Sequence, residues 1–201
     1  MKNLIKISLA LLLVFNIQSC KKKVAKVKPA AKTFSIDSNN TVVNWTAYKT
    51  TDKVPVKGKF TSLKITKDTT ATSIVETLNG AEFTIPVSSI FSNNPDRDNK
   101  LQKFFFGVMK NTELLSGIIH ITDKSNGYVD FKMNDIIEKL PFTFIIDGEK
   151  IQIKAIMNTD SWQAQAAIAS INKACFDLHK GSDGISKTWS DVAIDITVYF
   201  K

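Results

Sequence analysis

The chain has two cysteines, two histidines and no acidic residue before Asp37. Each scarcity excludes something. Cys20 and Cys175 form no CxxC, and His120 and His179 stand in no HExxH spacing, so a transition-metal site has no support. No GxSxG, GxGxxG or GxxxxGK[ST] occurs, which removes the common hydrolase and nucleotide-binding signatures. The longest apolar run, Leu9 to Phe15, is too short to span a bilayer, which needs about 20 residues. What is plentiful is apolar material: 43% of the 201 residues, with 13 Phe, enough for one sizeable core.

The net charge of +8 suggests an acidic partner, but its distribution removes the suggestion. Eight of the 27 basic residues precede Thr33, which leaves 19 against all 19 acidic ones in the rest of the chain. A nucleic-acid binder needs a basic face on its folded domain, so no nucleic-acid partner is expected.

Residues 1–19 read as a signal peptide. Lys2 and Lys6 supply the positive start, and Leu9 to Phe15 the short apolar segment. Ile17-Gln18-Ser19-Cys20 resembles the lipobox of bacterial lipoproteins. That resemblance implies cleavage after Ser19 and a lipid on Cys20, which spends this thiol and argues against a Cys20–Cys175 disulfide. Residues 20–32 are then the lipidated cysteine and a lysine-rich extended tether of at most about 40 Å. The expected location is the cell envelope, lipid-anchored, facing the periplasm or the cell surface.

Residues 33–201 show period-2 alternation and read as mainly β. The apolar sets are Val43, Trp45, Ala47; Val56, Gly58, Phe60; Ala81, Phe83, Ile85; Ile119, Ile121; Val129, Phe131, Met133; Phe142, Phe144, Ile146; Ile151 to Met157; and Val192 to Phe200. Between Phe60 and Leu63 the apolar parity switches, as a bulge near Ser62 would produce. Three helices are expected. Ser73 and Glu76 form a capping box stopped at Asn79-Gly80. Asn94-Pro95 opens a second, running towards Phe105. Asp160 caps a third, with Ile168, Ile171, Cys175 and Leu178 on one face and an end at His179 to Gly181. One apolar face per strand predicts a lipocalin-like antiparallel β-barrel of about eight strands.

Three groups invite a chemical reading. Cys175 and His179, one helical turn apart, would make a nucleophilic pair; the plainer reading is a buried thiol and a helix-end histidine. Arg97-Asp98 would bind a carboxylate or fix a loop. Phe104-Phe105-Phe106 would line an entrance or plug the barrel.

Phe34-Ser35-Ile36-Asp37, Val43-Asn44-Trp45, Val56-Lys57-Gly58-Lys59-Phe60, Ile85-Pro86-Val87-Ser88-Ser89-Ile90, Arg97-Asp98-Asn99-Lys100-Leu101 and Phe105-Phe106 together resemble the YceI-like family of lipid- or polyisoprenoid-binding proteins. Lys100 stands where the family usually has His, and Gly107 where an acidic residue is common. The resemblance implies an eight-stranded barrel around an apolar tunnel for an isoprenoid or other long-chain lipid, without catalysis or cofactor; a homodimer stays open. Strand parity alone nominates the lining: Trp45, Phe60, Phe83, Ile119, Phe131, Phe142, Phe144, Ile194, Ile196 and Val198. The competing readings are a packed barrel that displays an interaction loop near Ser182 to Thr188, and an enzyme acting through Cys175 and His179.

Overall fold

The structure is a computed structural model and describes residues 31–201. The signal peptide, Cys20 and the tether as far as Ala30 lie outside the described residues. Ala31–Lys201 is a compact unit that holds the whole sheet and core.

Ten antiparallel strands form one sheet in the order β3-β4-β6-β7-β8-β9-β10-β1-β2-β5. The strands are β1 (Ile36–Lys49), β2 (Val54–Phe60), β3 (Lys64–Lys67), β4 (Glu82–Pro86), β5 (Ile90–Phe91), β6 (Leu114–Ile121), β7 (Asn126–Met133), β8 (Ile136–Asp147), β9 (Lys150–Asn158) and β10 (Thr188–Phe200). Eight have five residues or more; the two extra ones, β3 and β5, are short and sit at the ends of the order. Three helices accompany them: α1 (Ile74–Leu78), α2 (Pro95–Lys100) and α3 (Gln165–Ala174).

The chain itself forces the sheet to curl. β3 and β2 stand eight places apart in the order, roughly 38 Å if the sheet were flat. Yet only residues 61–63 join them, a reach of at most about 14 Å. Val87–Ser89 joins β4 to β5 in the same way. The two connections bond to each other: Thr61 N–H and Oγ1 donate to Ser89 O at 2.9 and 3.1 Å. The expected bulge near Ser62 is therefore a strand break, at which the chain leaves one end of the sheet for the other.

Parity holds along nearly every strand. Val43, Trp45, Phe83, Ile85, Phe131, Phe142, Phe144, Ile153 and Val198 are all buried. Ile146 is the exception: it is 47% exposed where β8 outruns the core. Large inward rings are accommodated by glycines across the ladder. Gly58 pairs with Trp45, and a Cβ there would lie 2.2 Å from the indole Cζ2. Gly127 makes the same room for Phe142.

Ser73 caps α1 as expected, its Oγ accepting from Glu76 N–H at 3.1 Å, without the return bond to the Glu76 carboxylate that would complete the box. Asn94 caps α2 through Arg97 N–H at 3.0 Å, with Pro95 in its first turn. The chain then continues as a π-helical turn, Leu101–Phe105, and a tight turn, Phe106–Val108. The third helix is shorter than expected. Asn158, not Asp160, caps a first turn Thr159–Trp162, Gln163 adopts φ 53°, and α3 begins only at Gln165. The break turns Trp162 into the core, 1% exposed, where Nε1–H donates to Phe131 O at 2.8 Å. Beyond Cys175, Leu178 belongs to a separate turn, Asp177–His179.

Candidate functional site

The two halves of the barrel differ. In one, Phe142, Phe144, Ile151 and Phe200 pack together with Ile119 and, from α1, Leu78. Over the other lie α2, the π-helical turn, α3 and the loop 175–187, and beneath them is a cavity of ≈ 370 Å³. The strands contribute Trp45, Ala47, Val56, Phe60, Leu115, Phe131, Met133, Met157, Val192 and Ile194 to its wall. The helical cover contributes Leu101, Phe105, Phe106, Ile168, Ile171, Cys175 and Leu178. Polar residues also line the cavity, among them Lys49, Asn94, Asp96, Arg97, Lys100, His179 and Thr188, with Thr188, Lys49 and Lys100 near the His179 ring.

Of the ten residues nominated by parity, Trp45, Phe60, Phe131 and Ile194 reach this wall. Phe83, Ile119, Phe142, Phe144, Ile196 and Val198 face inward as expected but do not line it. They belong to the packed core, in most cases at the end away from the helical cover. Parity tells inside from outside and carries no information on depth along the barrel. The strand alternation also misses the helical half of the wall. The signal was present in the apolar face of the third helix: Ile168, Ile171, Cys175 and Leu178 all line the cavity.

Within the aromatic triplet, Phe105 and Phe106 form part of the wall, edge to face at 4.9 Å. Phe104 turns away, half-buried, with the Lys103 ammonium over its ring at 5.2 Å. Arg97 and Asp98 fix a loop. Asp98, 8% exposed, accepts from Ser92 N–H at 2.9 Å and Ser92 Oγ–H at 2.6 Å, and Arg97 Nη1 donates to Ser92 O at 3.4 Å. This staples α2 over the cavity.

Cys175 is buried, and the ring of His179 is committed elsewhere. Its Nδ1 lies 2.7 Å from Thr188 Oγ1, which donates to Asn172 Oδ1 at 2.9 Å. With that hydroxyl proton spent, Nδ1–H is the donor and Nε2 carries the lone pair. Burial, then Lys49 and Lys100 nearby, push the imidazole down to about 4 from its ordinary 6.5, so it is neutral at pH 7. Among the described residues no hydrogen bond joins the Cys175 thiol to His179, and the observed contacts, a buried thiol and an imidazole held by Thr188, are those of the plainer reading. Among the described residues no cluster of His, Cys, Asp and Glu is suited to a metal ion, and no helix is long and apolar enough to cross a membrane.

The YceI-like domain family matches residues 34–200. No curated protein matches the sequence. Among solved structures, a polyisoprenoid binding domain from Saccharophagus degradans implicated in plant cell wall breakdown superposes with a TM-score of 0.61 at 10% identity, covering 84% of this chain and 97% of that one. BcnA from Burkholderia cenocepacia superposes with a TM-score of 0.54 at 12% identity, covering 82% and 98%. At such identities the likeness is one of fold. With the family match extending from the first paired residue to the last strand, the chain belongs to the YceI-like domain family.

Proposed function

We propose that the protein is a non-catalytic binding protein for a long apolar lipid, held in the barrel cavity and delivered at the cell envelope from a lipid anchor on Cys20. The cavity carries the reading. Its wall is mostly apolar, and it lies within a barrel whose other half is filled. The solved relative that binds polyisoprenoid supports a prenyl chain; a quinone-like or fatty acyl chain fits the same chemistry.

Volume bounds the guest. At about 30 Å³ for a water-sized group, ~12 methylene-sized groups fit. At about 0.8 kcal/mol each, their transfer from water contributes about 10 kcal/mol before the cost of ordering the chain. A longer tail extends beyond the cavity. Organic extraction of the purified protein followed by mass spectrometry is expected to release a prenyl or acyl chain, and the emptied protein should take up a fluorescent alkyl probe. Protein that yields no lipid and takes up no probe defeats the proposal in favour of a purely structural barrel.

A further inference from the structure

The loop that follows α3 is unusual for a surface loop. Phe176, Leu178 and Ile185 are 50, 59 and 56% exposed. The loop is nonetheless firmly held. Gly181 N–H donates to Ile185 O, Lys187 N–H to His179 O and Thr50 N–H to Lys187 O, all within 3.1 Å. Lys49 Nζ donates to Leu178 O at 2.9 Å, and Asp183 accepts from Ile185 N–H at 3.0 Å. The exposed side chains are thus presented by a fixed scaffold rather than by an unstructured segment.

We infer that this apolar tip, Phe176, Leu178 and Ile185, is a docking surface for a lipid bilayer, through which the cavity exchanges its guest. The inference rests on the lipid-binding reading and adds where and how the lipid passes. Continuity carries it: Leu178 both lines the cavity and is more than half exposed, and Phe176 and Ile185 stand exposed on the same hydrogen-bonded loop. A guest that leaves water for such a cavity has its stable reservoir in a bilayer, and contact at the mouth spares it a passage through water. Beside the tip, Tyr48 and Trp189 are half-buried and carry lysines over their rings. Lys53 lies 5.1 Å from Tyr48 and 4.7 Å from Trp189, and Lys187 lies 3.5 Å from Trp189. Aromatic rings with amphipathic lysine stems suit the level of lipid head groups. Charge is secondary, because Lys49, Lys53, Lys173, Lys180 and Lys187 exceed Asp52, Asp177, Asp183 and Asp191 by only one. Attachment should therefore survive on neutral lipid and strengthen modestly on anionic lipid.

Residues 31–201, which contain the entire sheet and core, provide a form without the leader for the test. Flotation with phosphatidylcholine vesicles, with and without phosphatidylglycerol, is expected to carry the wild type on both. In the double variant Phe176→Ser/Ile185→Ser the partition should fall by roughly tenfold or more, since two half-exposed apolar side chains are lost. Neither residue lines the cavity, so the variant should melt as the wild type does and bind a pyrene-labelled alkyl chain equally at equilibrium, while passing it to vesicles more slowly. An Ile185→Cys variant in a Cys175→Ser background, labelled with an environment-sensitive dye, should shift to the blue on vesicles. Equal partition of wild type and double variant, or an unshifted dye, overturns the inference. Wild type that loads the alkyl probe but stays off both vesicles overturns docking alone. Wild type that floats but never loads the probe keeps docking and removes the lipid-carrier reading.

Discussion

His179 is a side chain at the cavity whose protonation separates the folded from the unfolded chain below neutral pH. Folded, it holds its proton only below about 4; unfolded, below its ordinary 6.5. Between those values the unfolded chain binds a proton that the folded one refuses, so stability falls as pH drops through the window. Protonation would also set an imidazolium beside Lys49 and Lys100. The exposed carboxylates act lower. The Asn40 amide on Asp37, the Ser125 N–H on Asp123 and the Ile185 N–H on Asp183 hold these groups below their usual 3.8, so their contribution is present above that value and lost beneath it. Thermal melts across pH 7 to 4.5 should therefore show a decline in the wild type that His179→Gln reduces. Parallel declines in both proteins would remove His179 as the cause.

At the scale of elements, α2 is held less by its own six residues than by the Asp98 staple. A helix this short is marginal without tertiary support. Asp98→Ala leaves the Ser92 N–H without its acceptor and should cost about 1–3 kcal/mol in urea unfolding, with Asp98→Asn losing less because an acceptor oxygen remains. The alkyl probe should dissociate faster from Asp98→Ala than from wild type, because the cover of the cavity is loosened. The same element shows which features are legible in a sequence. The Asn94-Pro95 start and the Ser73 cap were readable because caps are local, set by three or four adjacent residues. The break before α3 was not, because Gln163 takes its left-handed conformation to serve a distant contact, Trp162 Nε1–H with the Phe131 carbonyl. Strand faces were readable from period-2 alternation. The parity switch after Phe60 was readable as a feature, but not its meaning, since only the pairing of Thr61 with Ser89 shows that the chain crosses between sheet ends there.

At the scale of the whole barrel, the functional question is why one half is hollow. Aromatic side chains fill the other half because glycines make room for them, as Gly127 does for Phe142, and because α1 adds Leu78 and Ile74 to the core. In the hollow half one cross-strand row is small, with Ala47 between Val56 and Val192 across its two ladders. The cover of α2 and α3 spans the gap instead of filling it. A void and a site whose walls already meet respond oppositely to added volume. Ala47 lines the cavity, and Phe in its place extends into the void along an inward direction already set by strand parity. By filling the void, Ala47→Phe should be neutral or stabilising in thermal melts while uptake of the alkyl probe falls at least about tenfold, because the guest loses the space of several methylene groups. If the surrounding side chains already meet, the same substitution forces them off their rotamers and lowers stability by about 1–3 kcal/mol. Melting and uptake measured on one protein thus separate the two, and a destabilised variant that still takes up the probe as wild type does would show that the guest lies somewhere other than this cavity.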